Sequence, residues 1–214
     1  MRTFADISVS LDGYVAGPAP SLEEPLGRGG EQLHEWVVRL AAWRRTHGLD
    51  GGEDGPESRW VEEIVERTGA YVMGRRMFSG GEGPWDGDPN ATGWWGDEPP
   101  FRAPVFVVTH QPRPPLELTG TTFVFVTDGV ASAVEQARDA AGDRDVQVSG
   151  GAEVIRQALE HGLLDELQVH TAPVVLGAGT ALLAGIAPAA FEIVETIPTP
   201  QATHVRYRIT QTHS

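Results

Sequence analysis

The chain has no cysteine and no lysine among its 214 residues. Without cysteine there is no disulfide, no thiol nucleophile and no thiolate metal site. Without lysine there is no Schiff-base amine and no Walker A lysine; all 16 basic side chains are arginine. Codon or lineage bias is the plainer origin of both absences, so they remove chemistries without suggesting one. Long apolar runs are missing too, since nothing approaches the roughly 18 consecutive apolar residues of a membrane helix. The opening MRTFADISVS lacks the apolar stretch and small-residue cleavage site of a signal peptide. The expectation is a cytoplasmic protein with no membrane contact. Positive charge is scarce as well. A formal charge of −14 argues against nucleic acid, whose binding rests on neutralising phosphates. An anionic ligand would have to be held by local arginines, backbone N–H groups and a helix terminus. The sequon at Asn90 means nothing in a chain with no secretion signal.

The 40% of apolar residues suffices for a core, and their spacing orders the chain. Residues 3–11 alternate as a strand, with Asp12 and Gly13 supplying a turn. Helical spacing runs from Glu31 through Leu33, Trp36, Val37 and Leu40 to a stop near Gly48. A second helix spans Ser58 to Thr68, and a short buried strand, AYVMG, follows. The segment from Gly80 to Pro104 is too rich in Gly, Pro and Asp to be anything but a long loop, and such loops are functional or disordered. PVFVVTH and TFVFVT read as strands, Ala131 to Ala141 as a helix, VQVSG as a strand and Glu153 to Glu160 as a helix closed by Gly162. ELQVHTAPVVL is a strand, and FEIVET with HVRYRIT forms a terminal hairpin. Strands alternating with helices predict an α/β fold, a mainly parallel sheet covered on both faces with antiparallel strands at the C-terminal edge. No composition break marks a linker, so residues 1–214 are expected to form one domain.

Ligands of such sheets bind outside the carboxyl ends of the strands, and three segments end a strand suggestively. In VQVSGGAEVIRQAL, Gly150 and Gly151 precede the helix that Ala152 and Glu153 open. That is either a plain tight turn or an anion site at a helix N-terminus, where the absent Cβ lets a pyrophosphate touch the backbone. In YVMGRRMF, Gly74 is followed by Arg75 and Arg76, which are either phosphate partners or charges on a solvated turn. In VFVVTHQPRP, Thr109, His110 and Arg113 offer a hydroxyl, an imidazole and a cation.

Taken with SVSLDGYVAG and LLDELQVHTAPVVLGAG, these three segments resemble the dihydrofolate reductase-like superfamily. Within it they are most similar to the branch that holds the reductase domain of the bacterial riboflavin-biosynthesis deaminase–reductase. The match runs in order from Arg2 to about Leu183, and THVRYRIT fits the tail. The resemblance implies that Gly150, Gly151, Ala152 and Glu153 wrap the pyrophosphate of NADPH. It implies that Gly74, Arg75 and Arg76 lie on the cofactor's phosphates, and that Thr109 and His110 receive the 2′-phosphate. Asp12 to Gly17 resembles the mobile loop over the nicotinamide, and the family's reductase domains imply a homodimer. The pattern is broken in two places: Met77 stands where a hydroxyl residue is common, and Ser58 where dihydrofolate reductases carry a carboxylate. Glu57, Glu62 or Glu63 could substitute for that acid, though acids in a first helical turn ordinarily serve the dipole and the solvent.

Asp6 shares a strand face with Ser8 and Ser10, and His170 shares one with Gln168 and Ala172. A buried Asp needs a partner, so an Asp6–His170 pair either passes a proton to substrate or ties two strands together. The remaining histidines, His34, His47, His161, His204 and His213, read as surface residues, and no spacing suggests a metal site. Trp94 and Trp95 read as an exposed pair that caps a flat substrate or a dimer contact. The function expected is an NADPH-dependent reductase of a small pterin-like or ribosylamino-pyrimidine-like heterocycle, or of a carbonyl or imine. The alternative is a dinucleotide-binding regulatory or partner-binding protein without turnover. The zinc deaminase half is excluded, because its H-x-E…P-C-x-x-C pattern needs cysteine.

Overall fold

The computed structural model describes residues 1–81 and 83–210, so His213 lies outside it. In chain order the strands and helices begin with β1 (Thr3–Val9), β2 (Tyr14–Ala16), α1 (Glu35–Val38), α2 (Ala41–Thr46) and α3 (Pro56–Arg67). Next come β3 (Thr68–Gly74), α4 (Arg75–Ser79), β4 (Val105–Val108), β5 (Leu116–Leu118), β6 (Thr121–Val126) and α5 (Gly129–Ala141). The chain finishes with β7 (Asp145–Gly150), α6 (Ala152–Glu160), β8 (Glu166–Thr171), β9 (Thr180–Ala181), β10 (Ala190–Pro198) and β11 (Thr203–Thr210).

Nine strands form one sheet in the order β10-β11-β8-β1-β7-β3-β4-β6-β5. From β8 to β6 neighbouring strands run parallel. β11 and β10 close one edge antiparallel, as the terminal hairpin predicts, and the short β5 closes the other. α5 and α6 cover one face with Val134, Ala137, Ile155 and Ala158 against Ala5, Val72 and Val148. On the other face α3 brings Trp60 and Ile64 onto Phe4, while Phe78 and the loop aromatics cover Met73 and Val107. Covered twice, β3 is buried along nearly its whole length, which is why it reads as a continuous apolar run.

Three elements depart from expectation. The helix predicted from Glu31 to Gly48 is a 3-10 turn (30–34), α1 and α2, broken where Leu40 turns extended with φ −73° and ψ 141°. The break has a cause: Glu53 N donates to Arg39 O and Ala41 N donates to Glu53 O, so a returning segment takes backbone groups that a continuous helix would use. α3 starts two residues early because Pro56 is suited to a first helical turn. β8 ends at Thr171 rather than Leu176, with Pro173 just beyond it.

Candidate active site

β7, β3 and β4 are adjacent in the sheet, so the turns after them stand side by side at its carboxyl edge. The Gly150–Gly151 peptide is cis, and Gly150 has φ +131°, a conformation suited to glycine. A Cβ on Gly74 would stand 3.1 Å from Val154 Cγ2 and 3.8 Å from Gly151 N, so the first two turns nearly touch. A Cβ on Gly151 would meet nothing within 4 Å. Gly151 N-caps α6, and no side chain caps its opening amides. A backbone open above and uncapped at a helix N-terminus is the donor set a pyrophosphate needs, so these residues fit a dinucleotide.

Ala152 is buried and Glu153 exposed. The Glu153 carboxylate folds back along α6 onto Gln157 at 2.8 Å and Arg156 at 2.6 Å, and those two bonds hold it below the usual carboxylate range. Thr109 is buried, its Oγ1 accepting from Gln111 N at 3.1 Å, and His110 beside it is exposed. Arg76 is exposed, but Arg75 is turned under. Its Nη2 lies 2.5 Å from Asp88 Oδ2 and its guanidinium 3.5 Å above the Trp85 ring centroid. Arg113 lies on that ring as well. The structure therefore brings Gly74, Thr109, His110, Gly150 and Gly151 to one edge and spends Arg75 on the long loop. Trp94 and Trp95 are not the exposed pair expected. Trp94 Nε1 donates to Met77 O at 2.9 Å, and Trp95 packs edge-on against Phe101. The Asp12 to Gly17 segment is held by β2–β9 pairing and by Leu176 and Gly177 amides on the Asp12 carboxylate.

A second cluster lies on the α3 face of the sheet. Asp6 on β1, His170 on β8 and His204 on β11 occupy neighbouring strands, with His204 directly opposite His170. Asp6 Oδ2 is 2.9 Å from His170 Nε2, His170 Nδ1 is 2.7 Å from His204 Nδ1, and His204 Nε2 is 2.9 Å from Glu57 Oε1. Thr199 Oγ1 donates to Glu57 at 2.9 Å, and Arg39 Nη2 stands 3.7 Å from its other oxygen. Both imidazoles are 1% exposed, while the Asp6 and Glu57 side chains are 20% and 11% exposed. The Trp36 ring lies 4.6 Å from each imidazole, tilted to His170 and edge-on to His204, and donates its Nε1 to Ser8 Oγ. Burial and the neighbouring His170 hold the His204 pKa below its ordinary value.

His204 is thus not a surface residue, and Glu57 is turned into the fold. Alternation in HVRYRIT places His204 on the same face as Arg206, but the pattern holds no sign that His170 lies opposite. For Glu57 the position in a first helical turn pointed to solvent. His34 is half-buried rather than on the surface, and burial pushes its pKa down. Ser58 is buried, its Oγ accepting from Ala42 N. Among the described residues no group of three or more His, Asp or Glu is placed to hold a metal ion.

A family model described as the RibD C-terminal domain matches residues 3–205. Among solved structures, a putative riboflavin biosynthesis protein from Shewanella sp. PV-4 matches at 19% identity and TM-score 0.64, covering 99% of this chain and 100% of that one. The Thermotoga maritima diaminohydroxyphosphoribosylaminopyrimidine deaminase/5-amino-6-(5-phosphoribosylamino)uracil reductase matches at 16% identity and TM-score 0.60. That alignment covers 98% of this chain but 56% of that one. A dihydrofolate reductase from Enterococcus faecalis, complexed with NADP(H), matches at 14% identity and TM-score 0.54, over 98% of this chain and 97% of that one. At these identities the likeness is one of fold. No curated protein matches.

Proposed function

The chain belongs to the RibD C-terminal domain family, and from that premise we propose that it is an NADPH-dependent reductase of a small pterin-like or ribosylamino-pyrimidine-like heterocycle, acting on a C=N or C=O bond. The observation that carries the reading is the open backbone at Gly151, next to the turn at Gly74, with the turn at Thr109–His110 following on the same edge of the sheet. NADPH, when bound, supplies the hydride. Gly150, Gly151 and the α6 N-terminus hold its pyrophosphate, with Gly74 leaving room alongside and Ala152 and Glu153 offering backbone N–H groups. Thr109 and His110 receive the 2′-phosphate, and the exposed Arg76 adds positive charge nearby. The NADP(H) of the Enterococcus protein, which shares this fold, supports the choice of cofactor.

Asp6 is the residue that meets the substrate. Its neighbour Ile7, whose side chain lies on the opposite face of β1, comes within 3.8 Å of a Cβ placed on Gly150, so the backbone of this part of β1 passes the cofactor turn. A carboxylate in contact with a buried imidazole there can deliver a proton to the nitrogen or oxygen that loses its π bond as hydride arrives. The same pair favours turnover over passive dinucleotide binding, since a regulatory cleft has no use for a titratable chain at its edge. In this reading residues 1–214 act as one cytoplasmic reductase domain, paired as a homodimer.

The first experiment is titration of the purified protein with NADPH and with NADH, followed by nucleotide fluorescence at moderate salt. NADPH-selective binding is the expected result, and it justifies screening pterins and ribosylamino-pyrimidines for oxidation of bound cofactor. Binding of neither nucleotide would end the reductase reading.

A further inference from the structure

The chain of contacts from Asp6 to Glu57 contains more hydrogen bonds than its neutral imidazoles can fill. Its three links, at 2.9, 2.7 and 2.9 Å, each need one hydrogen between the heavy atoms. Two neutral imidazoles bring two hydrogens, and two carboxylates bring none. Without a third, one link stays empty, and either two ring-nitrogen lone pairs face each other at 2.7 Å or a ring-nitrogen lone pair faces a carboxylate oxygen at 2.9 Å. We propose that Asp6, His170, His204 and Glu57 hold one shared extra proton and form a relay that reloads Asp6 from the Glu57 side after each turnover. His170, His204 and Glu57 act here as positioning residues, through Asp6. The use in turnover rests on the reductase reading; the stored proton is a property of the protein alone.

The surroundings suit a relay better than a tie between strands. β8 and β11 are already joined in backbone register from Thr203↔Thr171 to Arg208↔Glu166, so the sheet does not need an imidazole pair. Two adjoining imidazoles, each 1% exposed, are costly to bury for structure only. The ends are the more accessible parts, the carboxylates of Asp6 and of Glu57, the latter beside the β10–β11 turn. The other charged or titratable groups around the cluster are few. Arg39 faces Glu57; His34 interacts electrostatically with His170; Arg206 lies over Trp60 and is paired with Glu63 and Glu195.

In turnover the hydride's electron pair goes to the substrate carbon, and the π pair of the C=N or C=O bond takes a proton from Asp6. The hydrogen lost is that of the Asp6–His170 link; the hydrogens of the other two links then each move one link toward Asp6, and water returns a proton at Glu57 to refill the last. With both carboxylates counted as ionised, the cluster passes from a formal −1 to −2 and back.

The stored proton is tested without cofactor, by proton and nitrogen NMR of protein labelled at histidine. A strongly downfield ring N–H resonance assigned to the His170–His204 contact, persisting above the pH at which free imidazole loses its proton, is expected. Two independent imidazole titrations with no such resonance would overturn the proposal even if NADPH binds. Glu57→Gln, verified as folded by circular dichroism, removes the far carboxylate. It should shift loss of the resonance to lower pH and, with an active substrate, lower kcat about tenfold at alkaline pH with KM unchanged. An alkaline limb of the kcat profile identical to wild type would confine Glu57 to a structural role and overturn the relay. If Glu57→Gln does not fold, the wild-type spectrum alone decides the stored proton. Absent nucleotide binding with the resonance present would sink the reductase reading and leave the stored proton standing.

Discussion

The φ of −71° and ψ of −169° at Gly151 are open to other residues, and a Cβ there meets nothing within 4 Å. On the proposed reading, the missing side chain leaves room for the cofactor's pyrophosphate. Gly151→Val should therefore keep the wild-type melting temperature within a few degrees and weaken NADPH binding by about tenfold or more, equivalent to roughly 1.4 kcal/mol. Unchanged affinity in the fluorescence titration would remove the turn from the cofactor site. Gly74 is the contrasting position, because its Cβ would press on Val154 at 3.1 Å. Gly74→Ala should cost about 1 kcal/mol of stability by overpacking, read as a lower urea midpoint. The doublet Gly150–Gly151 is legible as a candidate in the sequence, since strand alternation stops at it and helical spacing begins. Which of its residues stands open is not legible there, because that depends on distances to β1 and α4.

At the scale of elements, the 83–104 segment shows how a chain without regular structure is held in place. Asp88 accepts from Arg75, from Ser79 Oγ at 3.1 Å and from Asn90 N at 2.8 Å. Burial works to raise the Asp88 pKa, but these three partners together bring it below the usual range. Trp85 lies under the Arg75 guanidinium and donates to Gln111 O at 2.9 Å. Two neighbouring arginines therefore differ in role, and an RR pair in sequence carries no mark of which one turns inward; the deciding residues, Asp88 and Trp85, lie ten or more positions on. Asp88→Asn should destabilise the fold by about 3 kcal/mol, near the low end for breaking a buried pair, because the amide keeps other partners. The check is urea unfolding by tryptophan fluorescence. A midpoint equal to wild type would show that the loop is not anchored through Arg75. The broken helix before it follows the same logic. Leu33, Trp36 and Leu40 keep helical spacing, yet backbone bonds to Glu53 override that pattern at Leu40.

Over the whole molecule, what the sequence made visible is what local periodicity encodes: β3, β4 and β7 with their turns, α5, α6 and the terminal hairpin. Contacts between distant positions were not encoded that way. Glu57 and His204 stand 147 residues apart, and only the order β11-β8-β1, with α3 laid across it, brings them together. That long-range closure gives the fold a pH dependence of its own. With one proton already shared along the chain of contacts, a second is resisted: His204 has its pKa lowered, first by burial and then by His170. Its ordinary value is about 6.5, so just below that pH the unfolded chain takes up a proton that the folded chain resists. Stability depends on pH through the difference in bound protons, rising with pH wherever the unfolded state binds more. The contribution is therefore fully present above about pH 6.5 and is lost as pH falls from there toward the lower folded value. Thermal melts between about pH 8 and pH 5 should show a melting temperature that declines below about 6.5, before most carboxylates titrate. In His204→Asn, which cannot take up that proton in either state, the decline should be shallower. Equal slopes in the two proteins would mean that His204 is no harder to protonate in the fold than in the unfolded chain, and that the buried pair does not set the acid response of the molecule.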